Sequence, residues 1–176
     1  MDKIIAINGK RGAGKNTTAL CIKDWAERNG YKYFEFAFAK RLKYELALSI
    51  GDRLGFDESD LYNDNKKDYR LLLQWFGDYK RKKNKDYWVD WLKEDLLYAL
   101  NTNGSKILVI TDLRLKNEYE FLSGFDCILL RVLGREKVID NHSSEVELDD
   151  FPFDYEIDND NLEELQSKVD EFMESL

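Results

Sequence analysis

The sequence has few of the residues that bind metals. Its 176 residues include two cysteines, one histidine and one proline. Cys21 and Cys127 are predicted on a helix and on a strand, far apart in the chain, and a single histidine cannot complete a four-ligand zinc site with them. The composition therefore excludes a zinc site of this kind, and we expect both thiols to lie in the core.

Long apolar runs are also missing. No stretch approaches the roughly 20 apolar residues that a membrane-spanning helix needs, and no charged-then-apolar leader precedes the first predicted strand. The net charge of −8, from 27 Lys and Arg against 35 Asp and Glu, disfavours broad adhesion to nucleic acid or to an anionic membrane. We therefore expect a soluble, cytoplasmic protein without a membrane partner and with DNA as a disfavoured partner.

The sequence does contain enough apolar residues for one sizeable core. Hydrophobic residues make up 43% of the chain and aromatic residues 14%, which suits a single α/β domain. Apolar runs at 3–8, 33–37, 106–111 and 127–132 predict buried parallel strands, and 153–157 predicts a fifth strand. Helical patterns separate these runs, so we predict a three-layer α/β fold with a mostly parallel five-stranded sheet flanked by helices.

The region 39–101 interrupts this alternation with successive helical patterns and no strand. We predict a helical excursion at the carboxyl edge of the sheet, where a second substrate can be enclosed. The segments 1–38 and 102–176 then form the core of one domain, 1–176. A short lid is predicted at about 133–145.

A glycine-rich loop follows the first predicted strand. Residues 9–16 read Gly-Lys-Arg-Gly-Ala-Gly-Lys-Asn and match the phosphate-binding pattern G-x-x-x-x-G-K-[ST] except at Asn16. The glycines let backbone N–H groups approach phosphate oxygens, and Lys15 neutralises charge on the transferred phosphoryl group. The context is typical of this motif, because a buried strand precedes the loop and a helix follows it. We therefore predict a nucleotide site with Lys15 as a catalytic residue, built from Gly12, Ala13, Gly14, Lys15, Asn16 and Thr17.

Two side chains are candidates for holding Mg²⁺. Asn16 stands where a hydroxyl usually binds the ion, and its amide oxygen is a neutral hard ligand that can serve directly or through water. Asp112 follows the predicted strand at 106–111, at the edge where functional side chains of open α/β sheets face the ligand. It can hold Mg²⁺ through water, position a substrate hydroxyl or cap the next helix. Arg114, two residues later, favours the functional alternatives.

One helix in the excursion has a predicted apolar face at Tyr69, Leu72, Leu73 and Phe76, and a polar stripe accompanies it. Arg70, Gln74, Gly77 and Arg81 recur at helical spacing. A guanidinium, an amide and a gap at glycine suit the phosphate and base of a nucleotide. A solvated face is the competing interpretation, but a glycine within a helix costs stability and calls for a reason. We interpret the basic run 80–85 as a solvated loop, apart from Arg81.

Two arginines flank the predicted turn after the fourth strand. Arg131 and Arg135 stand on either side of residues 132–134, where a mobile lid can bring positive charge onto ATP. Surface arginines are an equally good interpretation from the residues alone. The single histidine lies in the polar segment 142–145 beside two serines, but neither serine has the G-x-S-x-G pattern of a hydrolase nucleophile. We interpret that segment as a hydrogen-bonded loop cluster.

Taken together, these residues resemble the deoxynucleoside monophosphate kinases encoded by bacteriophages, within the P-loop kinase group that includes adenylate and guanylate kinases. The order and spacing of short motifs carry the resemblance over most of the chain. These motifs are Gly-Lys-Arg-Gly-Ala-Gly-Lys-Asn-Thr-Thr at 9–18, Phe-Ala-Lys-Arg-Leu-Lys at 38–43, Arg70-x-x-x-Gln74-x-x-Gly77, Tyr87-Trp88-Val89, Asp112-Leu113-Arg114 with Asn117-Glu118, and His142-x-Ser144-Glu145.

The resemblance implies transfer of the ATP γ-phosphoryl group, with Mg²⁺, to the 5′-phosphate of a deoxynucleotide, in the host cytoplasm if a phage encodes the protein. By that likeness the catalytic residues are Lys15, Arg11, Arg131 and Arg135, the last two acting from the lid. Contact with the acceptor phosphate is implied for Arg11, Lys43, Arg70 and Arg81. The acceptor pocket would be shaped by Gly77, Trp88, Asp112, Arg114 and Glu118, beside Gln74 of the polar stripe.

Two alternative functions remain open from the sequence. One is a P-loop kinase that acts on another acceptor, such as a modified pyrimidine in DNA or a phosphorylated metabolite. The other is a nucleotide-binding regulator without turnover, for which Asn16 is the only hint. The preferred base is also open, and so is the choice between a monomer and a homodimer.

Overall fold

The computed structural model describes residues 1–62, 67–134 and 146–176. A π-helical turn at Ala47–Gly51 connects the α-helices at Phe38–Leu46 and Asp52–Leu54, and a 3₁₀ turn at Ser59–Leu61 follows them. In chain order the strands and α-helices are β1 (Lys3–Asn8), α1 (Lys15–Arg28), β2 (Lys32–Phe36), α2 (Phe38–Leu46), α3 (Asp52–Leu54), α4 (Arg70–Lys83), α5 (Tyr87–Leu100), β3 (Lys106–Ile110), α6 (Lys116–Ser123), β4 (Cys127–Gly134), β5 (Tyr155–Asn159) and α7 (Leu162–Glu174).

These elements group into two compact units. The first comprises Met1–Phe36 and Asp95–Leu176, and holds the whole sheet. The second comprises Ala37–Glu94, and the regular elements of its described residues are all helices.

Strand β1 lies at the centre of the five-stranded sheet, whose order is β2-β3-β1-β4-β5. Every adjacent pair of strands is parallel. Continuous apolar runs predict this arrangement because strands covered on both faces show no polar alternation, and all five residues of β3 are buried. The predicted α/β fold with a parallel sheet between helical layers is confirmed.

One face of the sheet packs against α1 and α7 to form the main core of the first unit. Alternate residues of β1, such as Ile5 and Ile7, point into this core, as strand geometry requires. The intervening residues Ile4 and Ala6 are also buried, so the opposite face is covered as well. The buried side chains of the main core are Ile5, Ile7, Ala13, Ala19, Ile22, Ala26, Ile107, Val109, Leu130, Val132, Ile157, Leu165, Val169, Phe172 and Met173.

Strand β4 extends two residues further than the sequence predicts. The sequence predicts a turn at 132–134, whereas the strand continues to Gly134 and pairs there with Asn159 of β5. The pairing continues because its hydrogen bonds are made by the backbone and do not require a buried side chain. Leu133, for example, is 40% exposed within the strand. Residues 133 and 134 of the predicted lid therefore belong to β4. Its residues 135–145 lie outside the described part of the chain.

The second unit has its own apolar interior. In α4 the predicted apolar face is inward, with Phe76 buried and Tyr69, Leu72 and Leu73 half-buried. The opposite side of the same helix exposes large apolar side chains. The buried apolar residues of this unit are Phe38, Leu42, Leu46, Phe56, Leu61, Phe76, Trp88, Val89 and Leu92.

Both cysteines are free thiols on the first unit and are half-buried. Burial is the main reason that the pKa of Cys21 is raised and that of Cys127 is raised to about 12. Both thiols are therefore protonated and unreactive at neutral pH. Among the helices of the described residues, none combines the length and the apolar character that crossing a membrane requires.

Candidate active site

The loop between β1 and α1 owes its shape to glycines in left-handed conformations. Gly12 has φ of 79° and Gly14 has φ of 97°, which strain any other residue. The amide of Ala13 donates to the Lys10 carbonyl at 3.1 Å and closes the turn. Helix α1 begins at Lys15 without a side-chain cap and without an acidic residue in its first turn. Its first N–H groups and the positive end of its dipole are thus suited to an anion.

Lys15 is buried within this loop. Only 8% of its surface is exposed, and its Nζ donates to the carbonyls of Gly9 at 2.6 Å and Lys10 at 2.9 Å. A cation beside a helix N-terminus is unfavourable unless an anion balances it. The loop therefore holds an ammonium group at the start of α1, an arrangement that suits a bound anion. Asn16 and Thr17, the next two residues, are exposed in the first turn of α1.

The carboxyl ends of β4 and β5 support the loop from the side. A Cβ atom at Gly134 would lie 2.5 Å from the Cα atom of Ala13, so this glycine permits the loop to pack directly against β4. Asn159, the last residue of β5, donates from Nδ2 to the Ala13 carbonyl at 2.9 Å and lies over Gly14. Neither support can be predicted from the sequence, because no local pattern shows that a strand end contacts a distant loop.

The end of β3 carries the predicted Asp112 and Arg114. Because β3 is parallel to β1 and adjacent to it, Asp112 follows its strand at the same edge of the sheet as the phosphate loop. The capping role considered for Asp112 is filled by the buried Glu118, whose Oε2 accepts from the amides of Arg114 at 2.9 Å and Leu115 at 3.0 Å. Glu118 therefore fixes the backbone that follows Asp112.

Arg131 is one of the two arginines that the sequence predicts to act from a lid. It lies within β4, and its Nη2 donates to the carbonyls of Leu148 at 2.6 Å and Phe151 at 3.1 Å. Its guanidinium also stacks 4.2 Å from the ring centroid of Phe153. Through these contacts Arg131 holds the segment that leads into β5 against β4. Arg135 and the segment 142–145 lie outside the described residues.

In the helical unit, Gly77 has a steric reason for its place within α4. A Cβ atom there would lie 2.8 Å from Leu42 Cδ1 and 3.1 Å from Arg81 Nη1. Arg81 thus folds back over the glycine, with Nη1 donating to Asp78 at 2.9 Å, while its buried Nε has no partner within the described structure. The buried Trp88 donates from its indole nitrogen to the Gly77 carbonyl at 3.4 Å. Leu42 and Arg81 therefore lie against the side of α4 that Gly77 leaves open.

The other cationic and polar side chains of the stripe are also partly enclosed. Arg70 and Gln74 are half-buried on α4, which disfavours the interpretation of a purely solvated face. Lys43 of α2 is buried and its ammonium lies 3.6 Å from the ring centroid of Tyr62.

A cluster around Glu45 ties three helices of this unit together. The carboxylate accepts from Arg41 Nε at 2.9 Å, Lys80 Nζ at 2.8 Å and Tyr87 Oη at 2.8 Å, which come from α2, α4 and α5. The guanidinium of Arg41 also stacks 3.6 Å from the ring centroid of Trp91. Only the Arg41 and Glu45 pair, four residues apart on one helix, could be found from sequence spacing.

Comparison with known proteins decides the family. The model of the deoxynucleotide monophosphate kinase family matches residues 56–169, well over half of the chain. The chain belongs to the deoxynucleotide monophosphate kinase family. This kinase is a phosphotransferase with a phosphate group as acceptor, and it uses ATP to convert a deoxynucleoside monophosphate to the diphosphate.

Two of the solved structures that match cover nearly the whole chain. TT1252 from Thermus thermophilus is 18% identical to this chain with a TM-score of 0.54, and the match covers 99% of this chain and 98% of TT1252. A mutant of the APS kinase CysC from Mycobacterium tuberculosis is 14% identical to this chain with a TM-score of 0.47, and the match covers 98% of this chain and 97% of the CysC chain. At 18% identity the likeness to TT1252 supports the fold alone. No curated protein matches the sequence.

We expect replacement of Glu45 by glutamine to destabilise the helical unit of the kinase by about 1–2 kcal/mol at pH 7, because Lys80 and Arg41 lose a charged acceptor. Burial alone would raise the pKa of Glu45, but the hydrogen bonds from Lys80, Arg41 and Tyr87 outweigh it and lower the pKa below 4.5. The carboxylate therefore contributes stability above pH 4.5 that is lost as the pH falls through its lowered pKa.

Urea unfolding of wild type and Glu45→Gln at pH 7 and pH 3.5 measures this contribution, with the exposed Glu94→Gln on α5 as control. The difference between wild type and Glu45→Gln should shrink at the lower pH. An equal difference at both pH values would contradict an electrostatic role for Glu45.

Proposed function

We propose that Lys15 and the loop around it bind the phosphates of ATP and that the γ-phosphoryl group passes from there to the 5′-phosphate of a deoxynucleoside monophosphate. The observation that carries this proposal is the buried Lys15 ammonium, held by loop carbonyls at the uncapped start of α1. Positive charge in that position suits a transition state whose charge lies on the transferred phosphoryl oxygens. The ATP-binding residues in this proposal are Gly12, Ala13, Gly14, Lys15, Asn16 and Thr17.

The metal in this proposal is Mg²⁺. The available donors fit it, since Asn16 offers an amide oxygen in the exposed first turn of α1 and Asp112 offers a carboxylate at the end of β3. Hard oxygen donors and phosphate oxygens are the ligands that this ion prefers. When bound, Mg²⁺ would neutralise phosphate charge. Asn16 and Asp112 would hold it directly or through water.

The acceptor is bound, in our proposal, by cationic side chains. Arg11, Lys43, Arg70 and Arg81 are assigned to its phosphate, because guanidinium and ammonium groups form charge-assisted hydrogen bonds with phosphate oxygens. The buried, unpartnered Nε of Arg81 supports a role for that residue. The proposed pocket residues are Gln74, Gly77, Trp88, Asp112, Arg114 and Glu118.

Two of these pocket residues act indirectly in the proposal. The indole N–H of Trp88 is engaged by the Gly77 carbonyl, and Glu118 Oε2 is engaged by backbone amides. We therefore assign Trp88 and Glu118 to shaping the pocket rather than to binding the base.

No strong base is needed for the transfer. The acceptor phosphate is anionic at neutral pH, so positioning and charge neutralisation supply the rate enhancement. Arg11 and Arg135 are proposed to neutralise charge near the transferred group. Arg131 is proposed to contribute as a positioning residue, because its guanidinium donates to the carbonyls of Leu148 and Phe151 and so holds that segment in place. The reaction is proposed to take place in the cytoplasm.

A coupled assay with ATP, Mg²⁺ and each common deoxynucleoside monophosphate tests the acceptor assignment. We expect Arg70→Ala to raise the KM for the monophosphate about 10- to 100-fold, since it removes a charge-assisted phosphate contact. Lys83→Ala, an exposed cation on the same helix, is the matched control and should change KM less than twofold.

An unchanged KM in Arg70→Ala would contradict the role of Arg70. Turnover with a DNA oligonucleotide that carries hydroxymethylated pyrimidine, and with no free monophosphate, would overturn the acceptor assignment. ATP binding without transfer to any acceptor would instead support a regulator.

A further inference from the structure

One peptide of the phosphate loop, between Ala13 and Gly14, is held by a distant side chain. Its two neighbours in the chain are fixed by backbone hydrogen bonds. The Ala13 amide donates to the Lys10 carbonyl at 3.1 Å, and the next carbonyl but one, that of Gly14, accepts from the Thr18 amide at 2.9 Å. In the peptide between these two groups, the carbonyl accepts from Asn159 Nδ2 at 2.9 Å. The orientation of this peptide therefore depends on a residue of β5.

Glycine alone does not fix that orientation. Gly14 has φ of 97° and ψ of 18°, which is close to the conformation of the third residue in a type II turn. Rotation of the preceding peptide by half a turn would give the type I values of about −90° and 0°. Glycine adopts both signs of φ about equally well, so its backbone preference does not choose between the two orientations. The hydrogen bond from Asn159 favours the observed one.

The two orientations present opposite charges to an anion. In a planar trans peptide the carbonyl and the N–H point in opposite directions. Because the Ala13 carbonyl is turned towards Asn159, the Gly14 N–H points away from that side chain. After the rotation, a carbonyl oxygen would take the place of this N–H. Backbone N–H groups are the donors with which glycine-rich loops bind phosphate, whereas a carbonyl oxygen repels it.

Asn159 is well placed to hold the peptide, although its amide is incompletely paired. It is the last residue of β5 and lies in register with Gly134 of β4, so its side chain starts from a fixed strand end. A Cβ atom at Gly14 would lie 2.0 Å from Asn159 Nδ2, which shows how closely the amide covers the glycine. The Oδ1 atom is buried without a hydrogen-bond partner among the described residues, an arrangement that disfavours folding. Packing alone therefore does not explain an asparagine at this position.

From these contacts we propose that Asn159 is a positioning residue for nucleotide binding, which holds the Gly14 N–H towards the phosphates. The inference rests on the proposed binding of ATP phosphates by this loop. Without the amide, part of the unliganded protein would hold the rotated peptide. The apparent dissociation constant would then rise in inverse proportion to the fraction that remains competent. Bound phosphates would select the competent orientation again, so kcat at saturating ATP should change little.

Calorimetric titration of the full chain with inorganic tripolyphosphate, and separately with ATP, tests the proposal. We expect Asn159→Leu, which removes the amide at similar volume, to raise both dissociation constants about 5- to 20-fold, the equivalent of about one hydrogen bond. The value of kcat at saturating ATP should stay within about threefold of wild type, a split that a merely structural role would not produce. Asn159→Ala should give the same result, and it covers the case in which leucine does not fit.

The matched control is Asn101→Leu, because Asn101 Nδ2 also donates to a backbone carbonyl at 2.9 Å, that of Leu97 near the end of α5. It should change neither dissociation constant more than about twofold. Unchanged affinity for tripolyphosphate in both Asn159 variants would overturn the proposal, and a loss of ATP affinity alone would place Asn159 at the base or sugar instead. A fall in kcat that parallels a lowered melting temperature would show a structural brace and overturn it as well. If wild type binds tripolyphosphate but transfers no phosphoryl group, the proposed function fails, while tripolyphosphate binding by the variants still decides the role of Asn159.

Discussion

We expect replacement of Lys15 by methionine to lower kcat about 1,000-fold while the thermal midpoint stays close to that of wild type. Methionine keeps the length of the unbranched stem but removes the ammonium group. Loss of one charge that stabilises the transferred phosphoryl group typically costs two to three orders of magnitude in kcat. The KM for ATP should rise much less, because backbone N–H groups of the loop and of α1 still bind the phosphates.

The control for Lys15→Met is Lys23→Met on the same helix. Lys23 is half-buried, and within the described residues its ammonium forms a long ion pair with Glu27 at 3.8 Å, so its loss should leave kcat within twofold of wild type. A fluorescent ATP analogue reports separately on nucleotide binding, which matters because Lys15 also bonds to the carbonyls of Gly9 and Lys10. A Lys15→Met variant that keeps more than a tenth of wild-type kcat would show that the ammonium does not reach the transferred group.

The features that the sequence predicts well are those encoded by neighbouring residues. Strand β1 and the loop that follows it are encoded by one continuous stretch of sequence. In that stretch an apolar run, which is buried on both faces of the sheet, leads into glycines with left-handed φ. Helix α4 likewise shows its inward face through spacing alone, with Phe76 buried as predicted. Local propensity and burial agree in these segments, so pattern reasoning succeeds there.

The features that it predicts poorly depend on pairing between distant residues. Nothing near Asn159 indicates that its amide reaches the Ala13 carbonyl, 146 residues away. The sequence predicts a turn at 132–134 that ends in a glycine, whereas backbone pairing with β5 continues to Gly134. Nor does any pattern near Arg131 indicate that its guanidinium donates to two carbonyls of the chain that leads to β5. Such contacts follow from the sheet order, which no local pattern contains.

For substitution of Gly134 by alanine, strand propensity and packing predict opposite effects: propensity favours the alanine, whereas packing against the phosphate loop disfavours it. We expect Gly134→Ala to lower kcat/KM for ATP about 100-fold. Local propensity alone favours alanine over glycine in a strand, and the φ of Gly134 is not in the left-handed region. The new Cβ atom, however, would lie 2.5 Å from the Cα atom of Ala13, whereas ordinary contacts begin near 3.4 Å. The phosphate loop must therefore shift by about 1 Å, a displacement that can cost two orders of magnitude in rate.

The decisive comparison is with Gly124→Ala, at a glycine whose φ is −78° and whose nearest neighbour for a new Cβ atom is the Phe121 carbonyl at 3.2 Å. This substitution adds the same methyl group far along the chain from the phosphate loop, so kcat/KM for ATP should change less than threefold. Steady-state kinetics with ATP varied, together with thermal melting, separates a displaced loop from general unfolding. If Gly134→Ala melts at or above the wild-type temperature and keeps full activity, the loop does not rest on β4. If it melts normally but loses ATP affinity, the close packing of Ala13 against Gly134 is what holds the loop in its binding shape.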